Sequence, residues 1–364
     1  MKRCVGKLMM KPVDIFDIIC SHAARHGRDE KLFGKNFPLA REAITHSLAG
    51  TPFSEIWFEV PLLGAPRFDL HVCLSGETIK ARKTLPADLI DGDFNAAFEL
   101  YEGKEKYGGY GFALAFDISE GKTKSHALHL LDTAPFYDVE QFFVAVGSRK
   151  AGEHFLNFVE RAPKGWHVWY YGLLTSRADK PLRIDFFVSR AVKEAYAKDI
   201  SLLARHLKDV GFSAVSDTFL ARTRELAALP FVMELQFDVL PDGSTGSTIG
   251  TSCSFGKFPK ERKEIPAGDI AEHVENALVV NCNISAAELK KDFSQGDIAA
   301  LMEKIQSWGL ADERWHLLPE ATFIKKLSLG SVSIEIFNRP RFVKLRYKEG
   351  KPFDAKVYFQ ARGE

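Results

Sequence analysis

Two hydrophobic periodicities alternate along the 364 residues. Where apolar residues recur every three or four positions, the pattern predicts an amphipathic helix. Pro12–Arg25 is of this kind: Val13, Phe16, Ile19 and Cys20 form one stripe. Asp14 and Asp17 lie in its first turn, where the helix dipole favours anions. Phe37–Leu48, Pro135–Val146, Asp217–Leu229, Gly268–Val280 and Ser294–Trp308 follow the same spacing. The longest stripe, Ile200, Leu203, Leu207 and Val210, predicts a helix over Ala191–Val210 that Gly211 stops.

Where apolar and polar residues alternate strictly, the pattern predicts strands, and these come in pairs. The pairs are Ser54–Val60 with Arg67–Leu74, Gly111–Ser119 with Ser125–Leu131, Trp166–Leu174 with Pro181–Ser189, Phe231–Leu240 with Ser247–Phe255, and Arg341–Tyr347 with Asp354–Ala361. Gly, Pro or Asp turn chemistry joins each pair. Ser328–Asn338 reads as irregular. No Gly/Ser-rich linker divides the chain, so residues 1–364 are expected to form one domain. Its N-terminal helices cover about 12–48, and hairpins with intervening helices cover 54–361. Hairpins strung end to end must pair or cover their edges. The expected fold class is therefore α/β of the α+β type: a closed, antiparallel, ten-stranded barrel surrounded by helices.

Alternation also sorts each strand into two faces. Phe68, Leu70 and Val72 oppose Asp69, His71 and Cys73; Leu182, Ile184, Phe186 and Val188 oppose Arg183, Asp185 and Phe187. Met233, Leu235, Phe237 and Val239 oppose Glu234, Gln236 and Asp238; Ala355, Val357 and Phe359 oppose Lys356, Tyr358 and Gln360. In a barrel wrapped by helices, the apolar faces point outward and the polar faces line a lumen. Burying that many charges without partners costs several kcal/mol each. The lumen must then be wet, internally paired, or occupied by a charged ligand.

Composition narrows the classes. Lys and Arg number 49 and Asp and Glu 48, a net charge of +1, which argues against a nucleic-acid partner. No apolar run is long enough to span a membrane, so no membrane partner is expected. The N-terminus lacks a signal-peptide pattern, and the five cysteines are scattered without zinc spacing; a reduced, cytoplasmic protein is expected. The 29 Phe exceed Tyr and Trp together, and many fall on apolar strand faces, as core. Dinucleotide, P-loop, nucleophile-elbow and zinc-protease motifs are missing, and no organic cofactor is expected. Gly108-Gly109-Tyr110-Gly111 precedes a strand rather than a helix and does not read as a phosphate cradle. His126 and His129, three apart on a strand, face opposite ways and cannot share a metal.

Three segments carry a family resemblance: Lys356-Val357-Tyr358-Phe359, Arg183-Ile184-Asp185-Phe186-Phe187-Val188 before a long helix, and Phe68-Asp69-Leu70-His71-Val72. With the ten-strand pattern, the chain resembles the ABBA-barrel aromatic prenyltransferases. The resemblance spans the chain in architecture and about a dozen residues in motif. It implies a transferase moving an isoprenyl group from an allylic diphosphate to an aromatic or peptide acceptor in the lumen. It implies that Arg183, Lys344, Arg346 and Lys356 bind the diphosphate, and that Tyr358, Phe187, Trp169 and Tyr171 shield the allylic cation. Glu234 or His71 would take the ring proton. Asp69 matches the aspartate that helps hold Mg²⁺-diphosphate, so Mg²⁺ is the expected metal.

The chain departs from the family on the strands of 111–131 and 231–255, whose lining is acidic (Asp117, Glu234, Asp238) rather than basic. Mg²⁺ reconciles acids with a diphosphate, because both offer it oxygen ligands. Plainer readings stand beside these roles. Lys344, Arg346 and Lys356 also read as an exposed hairpin face paired with Glu349 or Asp354. Asp69 and Arg183 also read as internal ion pairs, and His71 as a hydrogen-bonded strand histidine. Two other functions stay open: a catalytically silent barrel binding a small molecule or peptide, and a metal-dependent hydrolase using the acidic lumen. A monomer is expected.

Overall fold

The computed structural model describes residues 12–25, 29–48, 55–75, 111–121, 125, 127–131, 139–177, 179–213, 215–255, 296–329, 332–351 and 353–363. Helices α1 (Pro12–Arg25), α2 (Asp29–Phe33) and α3 (Phe37–Leu48) precede the hairpin β1 (Glu55–Pro61) and β2 (Asp69–Ser75). Then come β3 (Gly111–Phe116), β4 (Ala127–Leu131), α4 (Val139–Ala145), α5 (Arg149–Arg161), β5 (Trp166–Leu173) and β6 (Leu182–Val188). Helices α6 (Arg190–Lys198), α7 (Ile200–Asp209) and α8 (Asp217–Ala227) lead to β7 (Val232–Val239) and β8 (Thr245–Ser254). The described chain resumes with α9 (Asp297–Ser307) and α10 (Leu318–Ala321), then β9 (Phe323–Leu329), β10 (Val332–Lys348) and β11 (Asp354–Gly363).

Strands β1 to β8 pair in sequence order, β8 pairs with β10, β10 with β11, and β11 returns to β1. Every one of these ladders is antiparallel. Ten strands thus close into a barrel ringed by helices, as the alternation and the resemblance predict. No described helix is long and apolar enough to cross a membrane.

The Phe surplus sits between barrel and helices. Phe16 of α1, Phe33 of α2 and Phe37 of α3 cover Phe58, Phe68 and Phe359, with ring centroids 5.4–6.3 Å apart. On the opposite side, Phe158 of α5 packs on Phe186 and Phe237 at 5.9 and 5.3 Å. All of these except Phe37 are fully buried. Each such ring contributes roughly 2–3 kcal/mol by leaving water.

Several predicted boundaries shift. The stripe over Ala191–Val210 is broken: Asp199 is extended (φ −135°) and its carboxylate caps α7 by accepting from Ser201 N. Helix α4 covers Val139–Ala145, and the start predicted at Pro135 lies outside the described residues. Helix α5 was not expected; its first turn carries Arg149, Lys150 and Gly152 and no acid to complement the helix dipole, and a Cβ at Gly152 would lie 3.1 Å from Phe143 Cβ. Strand β3 ends at Phe116, and Ile118–Glu120 form a 3₁₀ turn. Ser328–Asn338, expected to be irregular, belongs to the β9–β10 hairpin, with β9 outside the closed ring. Pro340, which cannot donate to a ladder, falls at the register shift between Pro340 and Phe342. The predicted helix Gly268–Val280 lies outside the described residues.

Candidate functional site

The polar strand faces meet inside the barrel and form two linked clusters. The first centres on Glu59 of β1, a residue not singled out from sequence. Its carboxylate accepts from Lys356 Nζ and from the Tyr358 hydroxyl on β11. His71 Nε2 of β2 lies 3.3 Å from Glu59 Oε2, the oxygen that also accepts from Tyr358. Burial pushes the Glu59 carboxyl up, but Lys356 and His71 outweigh it and hold it well below the usual range. Burial lowers the Lys356 ammonium; Glu59 more than restores it, so it is raised overall. Burial and the Glu59 charge push the Tyr358 phenol well up.

The second cluster spans β6, β7 and β10. Arg183 donates to both oxygens of Asp238, at 2.8 and 3.1 Å. Lys344 Nζ donates to Gln236 Oε1, and the Gln236 amide reaches the Tyr170 hydroxyl and Asp185 Oδ2, the latter at 3.2 Å. The Lys344 stem crosses Gly250 of β8, where a Cβ would stand 2.6 Å from Lys344 Cε. Burial and nearby Arg183 lower the Lys344 ammonium to about 8. Burial raises the Glu234 carboxyl to about 7 against the pull of Arg341 and Lys344. Burial and Glu234 push Asp185 well up; its Oδ1 is buried without a hydrogen-bond partner.

An aromatic wall stands beside the cations. Phe342 stacks on Tyr358 at 4.2 Å with 20° between planes, and Trp57 lies 5.5 Å from Phe342. His71 stacks on His129 at 6.2 Å, and His129 meets Tyr170 edge-on at 5.6 Å.

The expected residues fare differently. Arg183, Glu234, Lys344, Lys356, Tyr358 and His71 face one lumen, and Lys344 and Lys356 are register partners. Arg346 pairs with Asp354 at 2.5 Å on a half-exposed surface, the plainer of its two readings. Asp69 Oδ1 accepts from Ser119 N at 3.0 Å and Ser119 Oγ at 2.6 Å, while burial and Glu59 raise its carboxyl. Phe187 is 8% exposed, on the inward face of β6, stacked on His167 at 5.9 Å. Tyr171 is a correction. Between Val168 and Tyr170 the β5–β6 register shifts, leaving Trp169 as an extra, unpaired residue. The bulge reverses the alternation after it. Tyr170 therefore faces the lumen, whereas Tyr171 packs outward against Phe142, Phe143 and Phe155 at 4.7–5.7 Å.

Asp185 is legible as a polar-face position within the Arg183–Val188 segment; Trp57 and Glu59 share one face of the predicted strand Ser54–Val60, and nothing in the sequence marked Glu59 as more than that. Tyr170 had no sequence signal, because bulges leave none here. Among the described residues, no group of three or more His, Cys, Asp and Glu is placed to hold a metal. Glu59 and Asp69 are register partners on β1 and β2.

No protein-family model matches the chain, and no curated protein matches it in sequence. Solved structures do resemble it. The apo form of the prenyltransferase PriB shares 12% identity over 94% of this chain and 95% of that one, with a TM-score of 0.47. PriB in ternary complex with L-tryptophan and dimethylallyl thiolodiphosphate shares 12% over the same fractions, at 0.45. The 5-dimethylallyltryptophan synthase from Streptomyces coelicolor shares 10% over 94% of this chain and 96% of that one, at 0.43.

Proposed function

We propose that the barrel is a transferase that moves an isoprenyl group from an allylic diphosphate to an aromatic or peptide acceptor held in its lumen. One observation carries this reading: Arg183, Lys344 and Lys356 face the same lumen as the Trp57–Phe342–Tyr358 wall. Ionising an allylic diphosphate separates charge. Cations stabilise the leaving diphosphate, and aromatic faces stabilise the carbocation. Glu234, raised to about 7, has the proton affinity of a general base at neutral pH. His71 beside Glu59 is the other base in reach. Asp69 would be the residue to hold Mg²⁺, whose positive charge would help neutralise the diphosphate.

The silent-binder reading has its own support. Arg183 and Lys356 each hold a carboxylate and Lys344 an amide oxygen, so these lumen cations already have partners within the barrel. Mass spectrometry separates the two. The protein is incubated with dimethylallyl, geranyl or farnesyl diphosphate, Mg²⁺, and a panel of aromatic acceptors and aromatic-bearing peptides. The transferase reading expects a product heavier by one isoprenyl unit, with diphosphate released. Acceptor binding without any product across the panel leaves the binder.

A further inference from the structure

The cations assigned to the diphosphate are already occupied. Asp238 grips the Arg183 guanidinium with both carboxylate oxygens, and Glu59 holds Lys356. A carboxylate presents two oxygens to a guanidinium much as a phosphate does. Both pairs are largely sheltered, with side-chain exposures of 18% and 17% for Arg183 and Asp238, and 20% and 12% for Lys356 and Glu59.

The two carboxylates are held differently. Asp238 sits one residue from the end of β7, where the pairing with β8 is irregular between Phe237 and Val239 while the pairing with β6 runs on. Glu59 keeps Tyr358 and His71 as partners when Lys356 turns away. Arg183 and Lys356 sit on β6 and β11, whose ladders run unbroken at these positions.

We propose that Asp238 and Glu59 are resident surrogate anions, which an entering diphosphate displaces from Arg183 and Lys356. This inference rests on the transferase reading of the same lumen. A carboxylate tethered on the neighbouring strand acts at high effective concentration. It therefore suppresses binding of a free anion until that anion brings enough charge to win. The resting barrel is self-blocked, and neutralising either acid opens its cation.

The test is isothermal titration of inorganic pyrophosphate, with and without Mg²⁺, into the full-length protein and its Asp238→Asn and Glu59→Gln variants. Both variants are expected to bind pyrophosphate at least about tenfold more tightly than the parent. The double variant Arg183→Met/Asp238→Asn is expected to lose the gain. If Asp238→Asn folds poorly, its melting temperature should rise with pyrophosphate by more than the parent's, and Glu59→Gln supplies the affinity. Saturable binding by the parent with no tightening in either variant overturns the displacement and leaves the transferase reading intact. No binding by any of the proteins overturns both.

Discussion

Replacing Gly250 by alanine places a methyl group where the Lys344 stem now lies. The new Cβ would stand 2.6 Å from Lys344 Cε, 3.3 Å from Gln236 Cβ and 3.5 Å from Lys344 Nζ. Carbon atoms in contact prefer about 3.5–4.0 Å, so the lysine must give way by about 1 Å. Its stem is flexible, and the cheapest movement takes the ammonium off Gln236. Losing a hydrogen bond to a buried charged group costs about 1.5–3 kcal/mol. Restricting the unfolded chain returns about 0.4–1 kcal/mol, because Gly250 does not need a left-handed backbone. The net expectation is a loss of about 1–2 kcal/mol, read by urea unfolding. At the proposed diphosphate site, the same displacement should weaken pyrophosphate about tenfold. A variant that is more stable than the parent and binds pyrophosphate equally well would refute the placement of Lys344 over Gly250 and its role as a phosphate ligand.

Other expectations follow from the same lumen and its surroundings. Tyr170→Phe removes an inward phenol bonded to Gln236 and should cost about 1 kcal/mol in denaturant unfolding. Tyr171→Ala, outward among Phe142, Phe143 and Phe155, should cost about 3–5 kcal/mol in denaturant unfolding; the opposite pattern would show that the Trp169 bulge is misplaced. With Glu234 near 7 as base and Lys344 near 8 as cation, kcat/KM should climb as Glu234 deprotonates and fall as Lys344 loses its proton. Glu234→Gln should abolish the acid limb, and a limb that persists assigns the base to another group. Outside the lumen, Trp166 Nε1 donates to the Tyr196 hydroxyl at 2.8 Å, which reaches His206 Nδ1 at 2.7 Å. That chain needs a neutral His206, and burial lowers its imidazole accordingly. A depressed histidine contributes stability above its unfolded value, about 6.5, and loses it as pH falls through the folded value. Tyr196→Phe should cost about 1–3 kcal/mol at pH 7.5, with the gap to the parent narrowing by pH 5, as thermal unfolding across that range will show.

Much of the fold was legible from period alone. Alternation over Arg67–Leu74 and Pro181–Ser189 put Asp69, His71, Arg183 and Asp185 on one face, and the barrel keeps them there, because a strand's side chains cannot change sides without a break in the ladder. The Phe surplus was likewise readable: Phe58, Phe68 and Phe359 occupy apolar positions that only helices can cover.

What sequence period cannot encode is a break in that period. Trp169 enters β5 as an extra residue, and from there Tyr170 and Tyr171 trade faces. Asp199 interrupts a helical stripe whose spacing runs on regardless, because its side chain serves the next helix's first turn. Partnerships were equally hidden. Glu59 and Lys356 stand 297 positions apart, and Arg183 and Asp238 stand 55 apart. The residues themselves determined that the barrel would have a charged interior. Closure of β11 on β1, and the register of β6 against β7, decided which charge neutralises which. The energy of an ion pair depends on a few ångströms of separation in a low-dielectric lumen, and only the assembled barrel sets that distance.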